Sequence, residues 1–503
     1  MKKALSLLLA FALTASCAVG ALAEDSGIQI SVSGPLSEEA VVETYNADAE
    51  IATGESAEPF VLLPAIEDYT GYGEEAIRAE YDALIASLEA QSVAEQSVDT
   101  VGEETVDANL DSYTKDVSGF VDRMYELVLN RGADPTGKAD WVSGLKSGKY
   151  KGADIVFGFF ASTEYQGRNR SNDQMVTDAY NAILGRTPDA SGKAYWLEGL
   201  GCGMTTIGIA NGFVGSQEFI RLCASYGITS GSLPMARVEW RDRSLGITRF
   251  VSRFYTKCLG RAYDKDGLNN WCGALLTGSV NGASVASQFV FSTEYKNKHA
   301  TNTDYIVMLY STFFDRAPDI EGLLNWHNKL DYTNSREFVL NGFLGSNEFA
   351  TLCKNAGVAI GGSVTTPEST TAWQINVKLL GFINAQRGVK GLNYLTLRQD
   401  LYEVATLRVK ELPTNNSEWR PNNKGGYQSA YADIGITNAL EKYETRVSDT
   451  KSNSIEAIAT ALFDPKSVSS RAQLLSDTVN TYSCGYLYAN STSWYAIEVA
   501  RIS

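Results

Sequence analysis

Four near-copies of one phrase constrain this chain more than any other feature. They read LNRGADPTGKADW (129–141), LGRTPDASGKAYW (184–196), LGRAYDKDGLNNW (259–271) and FDRAPDIEGLLNW (314–326), and all obey Arg-x-x-Asp-x-x-Gly-x-x-x-Trp. A second phrase, Phe-x-x-Ser-x-Glu-aromatic, follows each one: FFASTEY (159–165), FVGSQEF (213–219), FVFSTEY (289–295) and FLGSNEF (343–349). The interval from Trp to this Phe alternates 18, 17, 18, 17 residues, so the true unit is a pair. Phe120 matches Phe250, Trp196 matches Trp326, and RLCASYGI (221–228) matches TLCKNAGV (351–358), all at an offset of 130. That is an internal tandem duplication, the signature of a stacked repeat architecture.

Each phrase reads as a joint between helices. Before it run FVDRMYELVL, MVTDAYNAIL, FVSRFYTKCL and YIVMLYSTFF, with apolar residues at helical spacing. The Asp then stands where an N-cap belongs, its carboxylate facing the exposed N–H groups of the next helix, and Pro135 after Asp134 suits the first helical position. The Gly inside that helix implies that a neighbouring backbone or ring packs closely against it. Trp is placed to cover the helix–helix seam, and Arg to reach the Asp across the turn. The motif residues are Arg131, Asp134, Gly137 and Trp141; Arg186, Asp189, Gly192 and Trp196; Arg261, Asp264, Gly267 and Trp271; Arg316, Asp319, Gly322 and Trp326. In the second phrase Ser reads as an N-cap, with Glu in the first turn where negative charge suits the helix dipole. Calcium loops need several alternating carboxylates, and only DKDG (264–267) offers two. Sugar stacking by the tryptophans and Tyr195 is the other functional reading, set against packing of those rings in the core.

The ends of the chain bear on location. Two lysines, an apolar run and Ala21-Leu22-Ala23 form the three-part pattern of a cleavable export signal, so residues 1–23 read as a signal peptide, with Cys17 offering a lipoprotein alternative. Nothing later approaches the length of about twenty apolar residues that spans a bilayer, which predicts no transmembrane segment in the mature chain. Residues 24–116 hold 23 acidic and 2 basic side chains, enough to account for the whole net charge of −16 and leave the remainder near neutral. Such a segment favours disorder, with one helix near 74–92, where Ile77, Tyr81, Leu84, Ile85 and Leu88 keep helical spacing. A tail this acidic also excludes nucleic acid as a natural partner. Six cysteines follow the signal. Cys258 and Cys272 replace apolar residues of the other copies together, so they face each other either as a disulfide or as two buried thiols.

These phrases resemble the helical repeat module of exported bacterial proteins known as a domain of unknown function, whose pattern is similar to phycobilisome-linker domains. The resemblance implies a surface or extracellular interaction role and brings no catalytic residue.

After a Gly, Ser and Thr linker the pattern changes. LLGFINAQRGVKGLNYLTLRQDLYEVATLRVKEL (379–412) gives amphipathic helices around a Gly-rich turn, and YSCGYLYANSTSWYAIEVARI (482–502) alternates as a β-hairpin. This part resembles the cysteine-rich secretory, antigen-five and pathogenesis-related (CAP, or SCP-like) superfamily. SEWRP (417–421) is similar to its Ser-His-x-Arg-Pro, and SSRAQLL (469–475) to its Gly-His-Arg-x-x-Ile-Leu. The resemblance implies a cleft with two histidines and two glutamates. Here Glu418 and Ser470 take the histidine places and Glu444 is the candidate cleft glutamate. The chain has only His299 and His327, both outside residues 372–503, so neither the usual zinc site nor a Ser-His triad can form in this domain.

The expected fold is multidomain: all-α tandem helical repeats plus an α/β, CAP-like α-β-α sandwich. The expected order is the signal peptide (1–23), acidic segment (24–116), repeat pair 1 (117–228), linker (229–246), repeat pair 2 (247–357), linker (358–371) and CAP-like domain (372–503). The expected function is a secreted or cell-surface, non-catalytic interaction or scaffold protein without catalytic residue, metal or cofactor, its partner an unknown protein or a cell-envelope glycan. The alternative is a cell-envelope hydrolase or glycan-binding protein with a carboxylate site, such as Glu418 with Glu444, in the CAP-like cleft.

Overall fold

The computed structural model describes residues 26–34, 61–95, 112–364 and 371–502, with side chains of the first helix described through residue 87. Residues 1–23, with Cys17, lie outside the described residues, as do residues 24–25, 35–60 and 96–111 of the acidic segment. Two stretches of that segment are built into the fold. β1 (Ile28–Ser33) joins the C-terminal sheet, and α1 (Glu74–Glu95) lies against the second repeat pair through Ile77 and Tyr81.

In the repeats, each unit is a long helix, a helix after the Asp, a third helix carrying the second phrase's Phe, and a short helix after its Ser. Repeat 1 comprises α2 (Val117–Leu129), α3 (Pro135–Lys146), α4 (Gly152–Phe160) and α5 (Thr163–Gln166). Repeat 2 comprises α6 (Asn172–Ala179), α7 (Ala190–Gly201), α8 (Thr206–Val214) and α9 (Gln217–Ser225). Repeat 3 comprises α10 (Leu245–Arg253), α11 (Lys265–Leu276), α12 (Gly282–Val290) and α13 (Thr293–Lys296). Repeat 4 comprises α14 (Asn302–Leu309), α15 (Ile320–Tyr332), α16 (Arg336–Leu344) and α17 (Asn347–Ala356). In repeats 2 to 4 the first helix ends in a π-helical turn that contains Tyr180, Tyr255 or Tyr310.

Repeats 1 and 2 share one core, and repeats 3 and 4 another. The offset of 130 seen in sequence holds in the backbone. Gly152 and Ala153 N–H donate to the Thr229 and Ser230 carbonyls, and Gly282 and Ala283 donate to those of Ala359 and Ile360. The stretches read as linkers therefore pack in part. Within 229–246, Trp240 lies over Gly273, Arg241 donates to the Gly203 carbonyl at 2.8 Å, and Asp242 accepts from Thr205 N and Oγ1 at 2.7 Å each. Polar composition hid this because those side chains meet buried backbone groups rather than water.

The C-terminal unit holds α18 (Thr371–Val389), β2 (Thr396–Leu397), α19 (Gln399–Glu411), α20 (Ser429–Ile434), β3 (Ala439–Asp449), α21 (Ile455–Phe463), α22 (Val468–Leu474), β4 (Thr481–Ala489) and β5 (Thr492–Ile502). Its mixed sheet runs β1-β3-β5-β4-β2, with β2 parallel to β4 and the other pairs antiparallel. The β4–β5 hairpin turns at Asn490 and Ser491, both at positive φ, which suits a two-residue hairpin loop. Both faces of β5 are buried, so helices cover the sheet on both sides. Tyr495, Ile497 and Val499 share the core with α18 and α21, whereas Ala496 and Ala500 face α19 and α20. β1 turns Ile28 and Ile30 into the first of these cores.

Candidate functional site

The four joints have a common internal geometry. Asp134, Asp189, Asp264 and Asp319 each accept from the N–H of the Gly three residues on, at 2.7, 2.9, 2.6 and 2.8 Å. That N–H holds the Asp189 carboxyl down at about 2, helped by Ser191 and Arg186. What packs against each Gly is a tyrosine. A Cβ at Gly137, Gly192, Gly267 or Gly322 would sit 2.4, 2.1, 2.3 or 2.5 Å from the hydroxyl of Tyr125, Tyr180, Tyr255 or Tyr310. The guanidinium of each motif Arg lies over that same ring, 4.9 to 5.0 Å from its centroid.

Each Arg also reaches its Asp, at 3.6, 3.2, 3.7 and 3.8 Å, but three of the four come closer to the Glu of the second phrase, and Arg186 lies 3.2 Å from both. Arg131 pairs with Glu164, Arg186 with Glu218, Arg261 with Glu294 and Arg316 with Glu348. The two phrases thus belong to one clasp that binds the start of the second helix to the start of the fourth. Trp141, Trp196 and Trp326 close the other side, over Gly158, Gly212 and Gly342 and against Phe159, Phe213 and Phe343. Trp271 packs on Phe289 in the repeat where Gln288 replaces that Gly. All four indoles are half-buried, whereas Tyr195 stands 49% exposed beside Trp196.

Of the two alternatives for Cys258 and Cys272, the structure has the second: both thiols are free and buried. They belong to different neighbourhoods. Cys272 Sγ lies 3.6 Å from Thr248 Oγ1, near Arg241 and Asp242, while Cys258 sits near Lys298 and Glu294. Burial pushes the Cys258 thiol up to about 12 and the Cys272 thiol to about 11, so both stay protonated and inert.

In the C-terminal domain the candidate cleft residues separate. Ser470, on α22, donates to the carbonyls of Leu462 (2.8 Å) and Ser467 (3.0 Å) and so ties α22 to α21. Glu418 is half-buried in the loop after α19, where its charge acts on Arg446. Glu444 is fully buried on the α19 face of the sheet, and its register partner on β5 is Glu498, also fully buried. Arg408 of α19 grips Glu444 with Nε–Oε2 at 2.5 Å and Nη2–Oε1 at 3.0 Å, and also holds Glu411. Burial, and then the neighbouring Glu444 charge, raise the Glu498 pKa far above the carboxylate range, and Tyr431 Oη donates to Glu498 Oε2 at 2.9 Å. The carboxylate pair of this domain is therefore Glu444 with Glu498, closed off from solvent, rather than Glu418 with Glu444. Arg408, Glu498 and Tyr431 escaped the sequence reading because only strand register brings them together. Among the described residues, no group of three His, Cys, Asp or Glu side chains is placed to hold a metal ion.

The joints lie in residues that match a family model. Residues 109–169, 165–223, 243–298 and 286–353 each match the family model described as "Domain of unknown function (DUF4214)". No curated protein matches the chain. One solved structure, an extracellular protein containing a SCP domain from Bacillus anthracis str. Ames, is similar at 18% identity and a TM-score of 0.23, over 28% of this chain. The similarity spans 45% of that protein's length. Among the described residues no helix is long and apolar enough to cross a membrane.

Proposed function

We propose that this protein is an exported, non-catalytic interaction or scaffold protein, secreted or held at the cell surface. In this reading repeat pairs 117–228 and 247–357 form a rigid body, and residues 372–503 form a CAP-like head. One observation carries it: the chemistry-bearing residues of the repeats and of the head are committed to internal contacts. Arg, Asp, Tyr and Glu of each joint bind one another, and Glu444 is locked by Arg408 with both side chains fully buried. The export signal read at residues 1–23 supports placement outside the cytoplasm, and stacked repeats offer an extended surface to a protein or an envelope glycan.

The competing hydrolase reading needs an accessible carboxylate. Among the candidate cleft residues that leaves Glu418. The test is to incubate the purified chain with cell-envelope material and follow both co-sedimentation and release of soluble fragments. Co-sedimentation without release is the expected result. Release that disappears in Glu418→Gln would replace the scaffold reading by an enzyme.

A further inference from the structure

Repeat pair 2, α1 and the C-terminal domain meet around a cavity of about 550 Å³. That is within the range of about 300–1,000 Å³ usual for small-ligand sites, which favour junctions between domains. Neither phrase of the repeats nor the CAP-like cleft accounts for it. Both histidines of the chain border it.

The walls are stiff. Tyr72 stacks on Tyr394 at 4.3 Å and Tyr69 on Tyr332 at 3.9 Å, joining the N-terminal segment to the repeat and to the head. His299 is held at φ +49, a left-handed conformation uncommon for a residue with a side chain. Its ring reaches the head beside Gly435, where an added Cβ would lie 3.2 Å from Nε2. Its Nδ1 is buried without a hydrogen-bond partner, the nearest carboxylate oxygen being that of Asp400 at 3.7 Å. Left-handed backbone that aims an unsatisfied polar atom into a junction is the sort of strain found at ligand sites.

Most charges around the cavity are engaged, though Arg336 Nε is buried without a partner and Glu80 accepts from the Thr301 hydroxyl rather than from a cation. Arg398 holds Asp400 by two hydrogen bonds, Lys296 holds Glu403 at 2.9 Å, and Arg336 donates to the carbonyls of Ala300 and Thr301. An anionic ligand at Arg398 or Lys296 would have to displace Asp400 or Glu403, and a cationic ligand the reverse. The neutral groups left unengaged are the amides of Gln399 and Asn393, His299 Nδ1 and the Tyr72–Tyr394 ring pair. Neutral donors and acceptors beside aromatic rings match a molecule with many hydroxyl groups and an apolar C–H face.

We propose that this junction cavity binds a neutral saccharide of mono- or disaccharide size. Gln399 and His299 supply hydrogen bonds, and the tyrosines supply the flat wall. The site would tie repeat pair 2 to the head when occupied. It is independent of whatever the outer surface of the repeats binds, so its failure leaves the scaffold reading intact.

Calorimetric titration of the full chain tests this, with N-acetylglucosamine, its β-1,4-linked dimer and cellobiose as probes, and inorganic phosphate and the dipeptide Ala-Ala as contrasts. The expected result is saturable binding of at least one neutral sugar, no heat with phosphate or dipeptide, and affinity at least ten-fold weaker in both His299→Ala and Gln399→Ala. The Gln399 side chain makes no hydrogen bond to the protein, so Gln399→Ala decides the matter if His299→Ala fails to fold. Absence of binding by all three sugars, binding of phosphate or dipeptide instead, or sugar affinity unchanged in Gln399→Ala overturns the proposal.

Discussion

Arg131 and Glu164 face each other squarely, Nε to Oε1 at 2.5 Å and Nη2 to Oε2 at 2.9 Å, and so join two phrases that lie far apart in the repeat. Both side chains are about two-fifths exposed, at 40% and 44%, so solvent screens the pair. A double-mutant cycle with Arg131→Ala and Glu164→Ala should give a coupling of about 0.2–1 kcal/mol, shrinking as salt is added. Zero coupling at low salt would make the clasp decorative.

Gly192 leaves no room for a methyl group, because a Cβ would lie 2.1 Å from the Tyr180 hydroxyl, on a ring that is buried and covered by Arg186. Overpacking of about 1–3 kcal/mol should outweigh the gain in helix propensity of up to about 1 kcal/mol. Gly192→Ala should therefore lower the melting temperature, and adding Tyr180→Phe should restore part of it. A stabilised Gly192→Ala would show that the ring moves freely.

Glu498 has a raised pKa, so the folded state holds its proton where the unfolded chain has lost it. Its contribution is thus greatest in acid and declines as pH rises above the ordinary glutamate value of about 4.5, by up to about 1.4 kcal/mol per pH unit. Glu498→Gln, a mimic of the neutral form, should gain stability relative to the parent chain between pH 5 and 8, by roughly that slope at most. Parallel pH–stability curves would show Glu498 to be ionised in the fold.

His327 has the opposite chemistry. Burial works to lower its pKa, but Asp331, 2.6 Å from Nδ1, raises it above the ordinary value, with a smaller push from Glu80. The stabilisation is complete below about pH 6.5 and is lost as pH climbs through the raised value. The equivalent positions hold Val142, Leu197 and Cys272. His327→Leu should therefore flatten the melting temperature of the parent chain between pH 6 and 9. A slope that survives the substitution assigns it elsewhere.

β1 pairs with β3 along its whole length, Ile28 opposite Asp449 and Ser33 opposite Glu444. Deleting residues 26–34 should speed hydrogen exchange at the amides of 444–449 that bond to β1, at least ten-fold, and leave repeat 1 unchanged. Equal protection would mean that β3 is the true sheet edge.

The repeats could be read from sequence because everything in a joint lies within one helix turn or at a fixed interval. Their cement was harder to see. Tyr125 and its three equivalents stood in the helical lines as ordinary core residues, and only their contact with Gly and Arg reveals a second role. Glu164 and its equivalents looked like helix-dipole charges, since an ion pair between separate phrases has no local signature. The head was legible as helices and a hairpin, but Glu498 met Glu444 and Arg408 only through strand register, which one sequence does not encode locally. β1 carries a clean alternation, with Ile28 and Ile30 inward. Six such residues were outweighed by the acidity around them.

That first strand has a bearing on the order of assembly. Gly27 accepts from Thr450, 423 positions later, and the Ser33 carbonyl accepts from Gln473, 440 positions later. β1 finds these neighbours only once the more than 400 residues between them have been synthesised. Loop closure over such a distance is slow compared with folding of helical repeats. The sheet therefore closes last: a chain cut short where repeat pair 2 begins would still have the whole core of repeat pair 1 but would leave this strand bare.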